Sequence, residues 1–341
     1  MEKKKRIGIA SFNCSHGLVW QRLHLPLRHL RHEFEFVTFD VKDIRHSDAF
    51  YLDALVLSQP WNDAYLHVIE RFRTHYRIPV IIDVDDLVNE LPSDHPDYLS
   101  FRTNRLNQII QSSSHVVYST EFLKYRLGHL NRNHSVISNS ISADVYEGYK
   151  PRAKPYKNAF TVGWTGGQSH RGDQYFTFLD DLRRFLREKP DAKAYFHILC
   201  PEILLKEFGT QIIYEPEPCE FLDYPAVSAT YPFDVCLVGL TDCNFNNAKS
   251  DLKLLEMAPN HIPIIASPRS DFIRHKDRNV MLYAENNKDG YKSWYEQLCW
   301  AYDNQSELKE IGKRAAEYVL TERLSTKAAD EWREVLNKCV I

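Results

Sequence analysis

Four stretches of this 341-residue chain gather side chains that do chemistry. The first reads Gly163-Trp164-Thr165-Gly166-Gly167-Gln168-Ser169-His170-Arg171-Gly172-Asp173, a glycine-rich turn directly after a short apolar run. Glycine lets the backbone approach a ligand closely. A helix opening behind the turn offers unpaired N–H groups, and His170 or Arg171 adds positive charge beside a diphosphate. The plainer alternative is a tight turn in which glycine is merely tolerated. The second stretch reads Asn244-Phe245-Asn246-Asn247-Ala248-Lys249-Ser250-Asp251-Leu252-Lys253-Leu254-Leu255-Glu256. Leu252, Leu254 and Leu255 suit an apolar helix stripe, whereas Asn246, Lys249, Ser250 and Glu256 do not. A helix beginning near Ala248 would aim its N-terminus and Lys249 at leaving-group phosphates, with Glu256 reaching ribose hydroxyls as an acceptor. A solvated face with an ordinary N-cap is the alternative.

The third stretch, Asp83-Val84-Asp85-Asp86, follows the apolar run Val80-Ile81-Ile82. Carboxylates at a strand end can orient acceptor hydroxyls, sit opposite a developing oxocarbenium charge, or hold a cation. They can also form a polar cap, with one aspartate paired to an arginine such as Arg102 or Arg105. The fourth, Ser11-Phe12-Asn13-Cys14-Ser15-His16-Gly17, follows the first apolar run and should border the same edge. His24, His29 and His32 stand at helical spacings among leucines and arginines and receive no role.

Short apolar runs at 7–10, 34–39, 54–57, 80–82, 116–118 and 136–137 alternate with helical patterns such as 23–30 and 64–72. That alternation predicts a parallel sheet with right-handed crossovers, a Rossmann-like domain carrying its ligand edge at the strand C-termini. Between 146 and 158 two prolines and several basic residues break the periodicity, which places a domain boundary there. The alternation restarts at 160–164, with a helix over 174–188, strands at 194–199, 211–214, 235–238 and 262–266, and a helix around 250–257. The α/β fold expected is therefore two Rossmann-like domains, 1–150 and 151–324, with a final helix in 325–341 crossing back to the first.

In the second half, the two clusters resemble the donor half of the GT-B glycosyltransferases, specifically the retaining family-4-like group. Chains of that group carry a Gly-Trp-x-Gly-Gly-x-x-His turn opening the C-terminal domain and an Asn-x-x-Lys-Ser-x-x-Lys-x-x-Glu helix start, matched here over 163–170 and 246–256. The resemblance implies two domains facing across a cleft that holds a nucleoside-diphosphate sugar, a UDP- or GDP-sugar. It places Gly166, Gly167, His170 and Arg171 against the diphosphate, Lys249 at the leaving phosphate, Ser250 beside it and Glu256 on the ribose. Gly17 would line the acceptor or phosphate side, and Asp83, Asp85, Asp86 and Asn246 join Lys249 as candidate catalytic groups. The broader group carries a glutamate eight positions before the ribose-binding one. Here that position is Ala248, and Asn246, Asn247 or Lys249 would take over its contact. Residues near Cys200, Ile213 and Tyr224 should border the nucleobase.

What the resemblance implies is retaining transfer to an acceptor hydroxyl of a glycan or lipid-linked acceptor, in surface glycan or polysaccharide synthesis, with no metal required. A catalytically silent sugar-nucleotide-binding partner, or an epimerase or hydrolase of the same fold, is the rival. Composition narrows the partners. With 43 Lys+Arg against 46 Asp+Glu the net charge is -3, leaving no basic excess to track nucleic acid. The seven cysteines form neither a zinc pattern nor a disulfide framework, and no run of about 18 apolar residues exists, so a cytoplasmic protein is expected. Lys3, Lys4, Lys5 and Arg6 offer at most a peripheral contact with anionic lipid at the inner membrane face.

Overall fold

The computed structural model describes residues 3–13, 17–95, 97–101, 103–146, 159–167 and 170–340, without the side chains of Arg171 and Phe221. His16, Arg102 and most of the expected domain junction lie outside the described residues. Strands β1 (Lys5–Ser11), β2 (Phe34–Asp40), β3 (Ala54–Ser58), β4 (Val80–Val84), β5 (His115–Tyr118) and β6 (His134–Val136) form one all-parallel sheet in the order β2-β1-β3-β4-β5-β6. Strands β7 (Thr161–Thr165), β8 (Lys193–His197), β9 (Ile212–Glu215), β10 (Val235–Val238), β11 (Ile264–Ala266) and β12 (Leu282–Tyr283) form a second, in the order β12-β11-β10-β7-β8-β9. Parallel sheets are covered by helices on both faces, which is why β3, β4, β7 and β10 are buried at every residue and are mostly apolar, with polar residues at or near their ends.

Two helical expectations need correction. The helix expected over 174–188 is two, Arg171–Phe176 and Leu179–Glu188. Thr177 turns its hydroxyl back to the Asp173 carbonyl at 2.5 Å and leaves helical geometry with ψ -79°, which breaks the ladder. Nor does a helix begin near Ala248. The short helix Asn244–Asn247 ends at Ala248, and Leu252–Met257 starts only after Asp251, so Lys249 and Ser250 lie between the two.

The last helix, Ser325–Cys339, lays Trp332, Val335 and Leu336 into an apolar cluster with Ile7 and Ile9 of the first sheet and Val19 just after β1. The Trp332 indole N–H donates to the Arg22 carbonyl at 3.2 Å, so the ring is buried with its one polar atom satisfied. Between β6 and this helix, Ile141 bridges to Leu324, and the Ile141 N–H donates to the Arg323 carbonyl at 2.9 Å. Among the described residues no helix is long and apolar enough to cross a membrane.

Candidate active site

In an open parallel sheet, a crevice forms where neighbouring strands send their connections to opposite faces. In the second sheet that point lies between β7 and β10. A cavity of about 320 Å³ opens there, lined by Trp164 to Gly167 after β7 and by Gly239 and Leu240 after β10. The first domain contributes Leu18, just after β1, and Asp85 and Asp86 at the end of β4. Its polar wall from the second domain includes Lys249, Ser250, Lys253 and Glu256.

Glycine has two different uses in this wall. At Gly166 a Cβ would stand 2.8 Å from the Trp164 ring, so the turn is folded tightly over its own tryptophan. At Gly167 a Cβ would meet nothing within 4 Å, so its backbone faces open space in the cavity. His170, also lining the cavity, bonds through Nδ1 to Asp173 at 3.0 Å. Asp173 further accepts from the Thr241 N–H, the Thr241 hydroxyl and the Asn246 amide at 2.8–2.9 Å. Burial alone would raise this carboxyl, but the bonds from His170 and Thr241 outweigh it and hold it below the ordinary aspartate range. Asn246 is therefore a buried brace joining the two clusters and does not line the cavity. Arg171 opens its helix at the same turn.

Lys249 reaches across the cleft. Its ammonium lies 2.8 Å from Asp86 and 4.3 Å from the centre of the Phe245 ring. Three further bonds hold segment 244–250 on the first domain. Asn244 donates to Glu90 at 2.7 Å, the Thr120 hydroxyl to the Ala248 carbonyl at 3.1 Å, and Asn139 to the Ser250 hydroxyl at 2.7 Å. Ala248 itself is fully buried in the core of the first domain, so its side chain does not face the cavity. Farther along, Glu256 accepts from Lys253 at 2.5 Å and from the Tyr224 hydroxyl at 3.1 Å.

The three carboxylates after β4 separate into different roles. Asp83 does not line the cavity. It is paired with the buried Arg22, whose Nε lies 3.0 Å from one carboxylate oxygen and whose other arm bonds the Ile137 carbonyl at 2.7 Å. The arginine comes from the segment after β1, and Arg105 instead pairs with Asp63. Asp85 is buried at the cavity edge. Burial raises it to about 6 against the pull of Arg22, with Asp86 and Asp83 adding to the rise. Asp86 faces Lys249. Gly17 starts the helix Gly17–Val19, and the lining side chain there is Leu18. Among the described residues no group of His, Cys, Asp and Glu has the composition of a metal site.

Of the residues expected at the nucleobase, Tyr224 touches Glu256, whereas Cys200 and Ile213 do not line the cavity and pack toward the apolar cores. Lys253 was given no role from sequence, although its position four residues after Lys249 and three before Glu256 signals a shared helix face. Asn139, which ties Ser250 to the first domain, carries no sequence signal because its partner is 111 residues away.

No family model matches the chain, and no curated protein matches it in sequence. Solved structures do match over nearly its whole length. A sucrose-phosphate synthase from Thermosynechococcus elongatus superposes with a TM-score of 0.72 at 10% identity, covering 98% of this chain and 99% of that one. HepE from Anabaena in complex with UDP gives 0.69 at 12% identity, over 98% and 100%. An alpha-glucosyltransferase in complex with UDP-glucose and DNA containing an abasic site gives 0.63 at 12% identity, again over 98% and 100%. Two all-parallel six-stranded sheets facing across a cleft, crossed at the end by a returning helix and matched end to end by these enzymes, give this chain the GT-B glycosyltransferase fold.

Proposed function

We propose that the chain is a glycosyltransferase that moves a sugar, with retention, from a nucleoside-diphosphate sugar to an acceptor hydroxyl in surface glycan or polysaccharide synthesis. One observation carries this reading. A single cavity at the strand-order reversal brings an open glycine backbone at Gly167, two lysines and a carboxylate at Glu256 onto facing walls. That is the donor and acceptor chemistry a nucleoside diphosphate needs. In this reading Gly166, Gly167, His170 and Arg171 take the diphosphate, and Lys249, Ser250 and Lys253 face the departing phosphate. Glu256 accepts from the ribose, and Asp85 and Asp86 border the acceptor from the first domain.

The chemistry follows from where charge develops. As the glycosidic bond to the diphosphate breaks, negative charge grows on the leaving oxygen, and cations already in place there lower the barrier without reorganising. The two domains hold the acceptor hydroxyl close to the departing group, which supplies the positional part of the rate. HepE was solved with UDP, which favours uridine over guanosine as the nucleobase. Asn246 acts by bracing Asp173 and His170, a positioning role.

The test is thermal stabilisation by a panel of nucleoside diphosphates, for the wild type and Glu256→Ala side by side. One base should raise the melting temperature in the wild type and fail to do so in the variant. No shift with any nucleotide, in protein shown to be folded, would overturn the donor site. Burial of Ala248 at the position where the family carries a glutamate favours a second reading, a donor-binding protein that does not transfer. Donor binding without donor consumption in the presence of a broad acceptor panel would select it.

A further inference from the structure

A second polar cavity, about 300 Å³, lies where four segments meet: the loop at 138–140, the stretch 274–278, the end of helix Gln305–Glu322 and the first two turns of helix Ser325–Cys339. It shares no lining residue with the candidate active site. Arg274, Arg278, Arg323 and Lys327 line it, against only Glu322 and Glu331, in a chain whose net charge is -3.

The cations are not equally engaged. At the floor, Asp251 takes both arms of Arg323 and one arm of Arg274, the latter at 3.0 Å. At the mouth, Arg278 pairs with Glu322 at 3.1 Å with both side chains nearly half exposed, a pairing of little net strength, and its guanidinium lies over the Tyr318 ring. Lys327 has no ion-pair partner among the described residues. Burial pushes the Glu331 carboxyl up, so the second acid holds its negative charge less firmly than an exposed glutamate.

We propose that this cavity is a binding site for a small phosphate-bearing anion, held at the mouth by Arg278 and Lys327 over the Arg274–Asp251–Arg323 floor. A phosphate fits better than a neutral ligand because it offers several acceptor oxygens to guanidinium forks arriving from separate segments. The volume, at the small end of the range for small-molecule pockets, suits a phosphate, a diphosphate or a phosphorylated small metabolite. The floor also touches the first cavity from behind. Asp251 precedes the helix carrying Lys253 and Glu256, and Asn139 joins the Arg323 side chain, through its carbonyl, to Ser250, through its amide.

Calorimetric titration of inorganic pyrophosphate at low salt tests the site in four proteins. These are the wild type, Arg278→Gln/Lys327→Gln, Lys249→Gln in the first cavity, and Lys309→Gln/Lys313→Gln, which removes the same charge from the exposed face of helix Gln305–Glu322. Pyrophosphate also suits the cleft, so the binding that counts is the part that Lys249→Gln leaves intact; this part should weaken about tenfold or more in Arg278→Gln/Lys327→Gln and persist in Lys309→Gln/Lys313→Gln. Circular dichroism and a ligand-free melt establish that each variant is folded. Loss of all pyrophosphate binding in Lys249→Gln, with full retention in Arg278→Gln/Lys327→Gln, would put the anion in the cleft alone and overturn the proposal. Equal weakening in both double variants would reduce it to general surface charge, and an absence of binding to the wild type would also refute it.

Discussion

The Asp86–Lys249 pair spans the cleft at the place where a donor diphosphate would arrive, so it gives a prediction with a definite sign. The ammonium lies 2.8 Å from Asp86, and the two side chains are 21% and 22% exposed. In an effective dielectric of about 20, unit charges at that distance attract by about 6 kcal/mol. Desolvation of both groups, and their partial contact with water, leaves a net of about 1–2 kcal/mol. A diphosphate must displace this pair to use Lys249 and must also approach the Asp86 carboxylate, and both effects oppose binding. Asp86→Asn keeps the side-chain shape and removes both. It should therefore bind UDP about 5- to 30-fold more tightly than wild type, measured by calorimetric titration. The gain should shrink at high salt and shrink also in the Lys249→Gln background, where only the repulsion between Asp86 and the phosphate is left to remove. Turnover should move the opposite way if Asp86 also orients the acceptor, so tighter donor binding with slower transfer is the expected signature. Weaker UDP binding by Asp86→Asn would refute the reasoning, because it would mean that Asp86 aims Lys249 at the phosphate instead of competing with it.

Three more perturbations test the interior. Asp83→Asn leaves the buried Arg22 charge without its partner and should cost about 3–5 kcal/mol in urea unfolding, with Arg22→Met/Asp83→Leu recovering much of it. Asp85, raised by burial to about 6, binds its proton more tightly folded than unfolded, so its contribution to stability is greatest at low pH and is lost as pH rises through 6. Asp85→Asn should therefore stabilise the protein by up to about 3 kcal/mol above pH 6, with no gain below the ordinary aspartate range near 4, as read from denaturation midpoints across pH. Gly163→Ala would place a Cβ 2.2 Å from the Phe233 ring in the middle of β7, and a loss of about 1–3 kcal/mol is expected from the melt.

Sequence disclosed the parts of this molecule that depend on local pattern. The buried strands were legible because a parallel sheet covered on both faces requires every residue of a short run to be apolar, as at 54–57 and 80–82. The glycine turn and the Lys249 to Glu256 segment were legible because their polar residues fit no apolar stripe. What escaped was decided by side-chain bonds that no periodic pattern records, most of them to partners distant in the chain. Nothing at Thr177 announces that its hydroxyl will fold back and split a helix, and nothing near Asp83 points to an arginine 61 residues earlier. The expected helix start at Ala248 failed for the same reason. That alanine is drawn into the first domain's core, where Thr120 bonds its carbonyl, and the helix carrying Lys253 and Glu256 starts four residues later. This displacement bears on function. An alanine, unlike a glutamate, can be buried there without stranding a charge. Its burial fixes Lys249 and Ser250 against the first domain, where Asp86 and Asn139 hold them. In the proposed reading an alanine at 248 supplies no carboxylate to the donor sugar, and Asp85 and Asp86, the polar side chains that the first domain brings to the cavity, are the groups placed to hold that sugar from the facing wall.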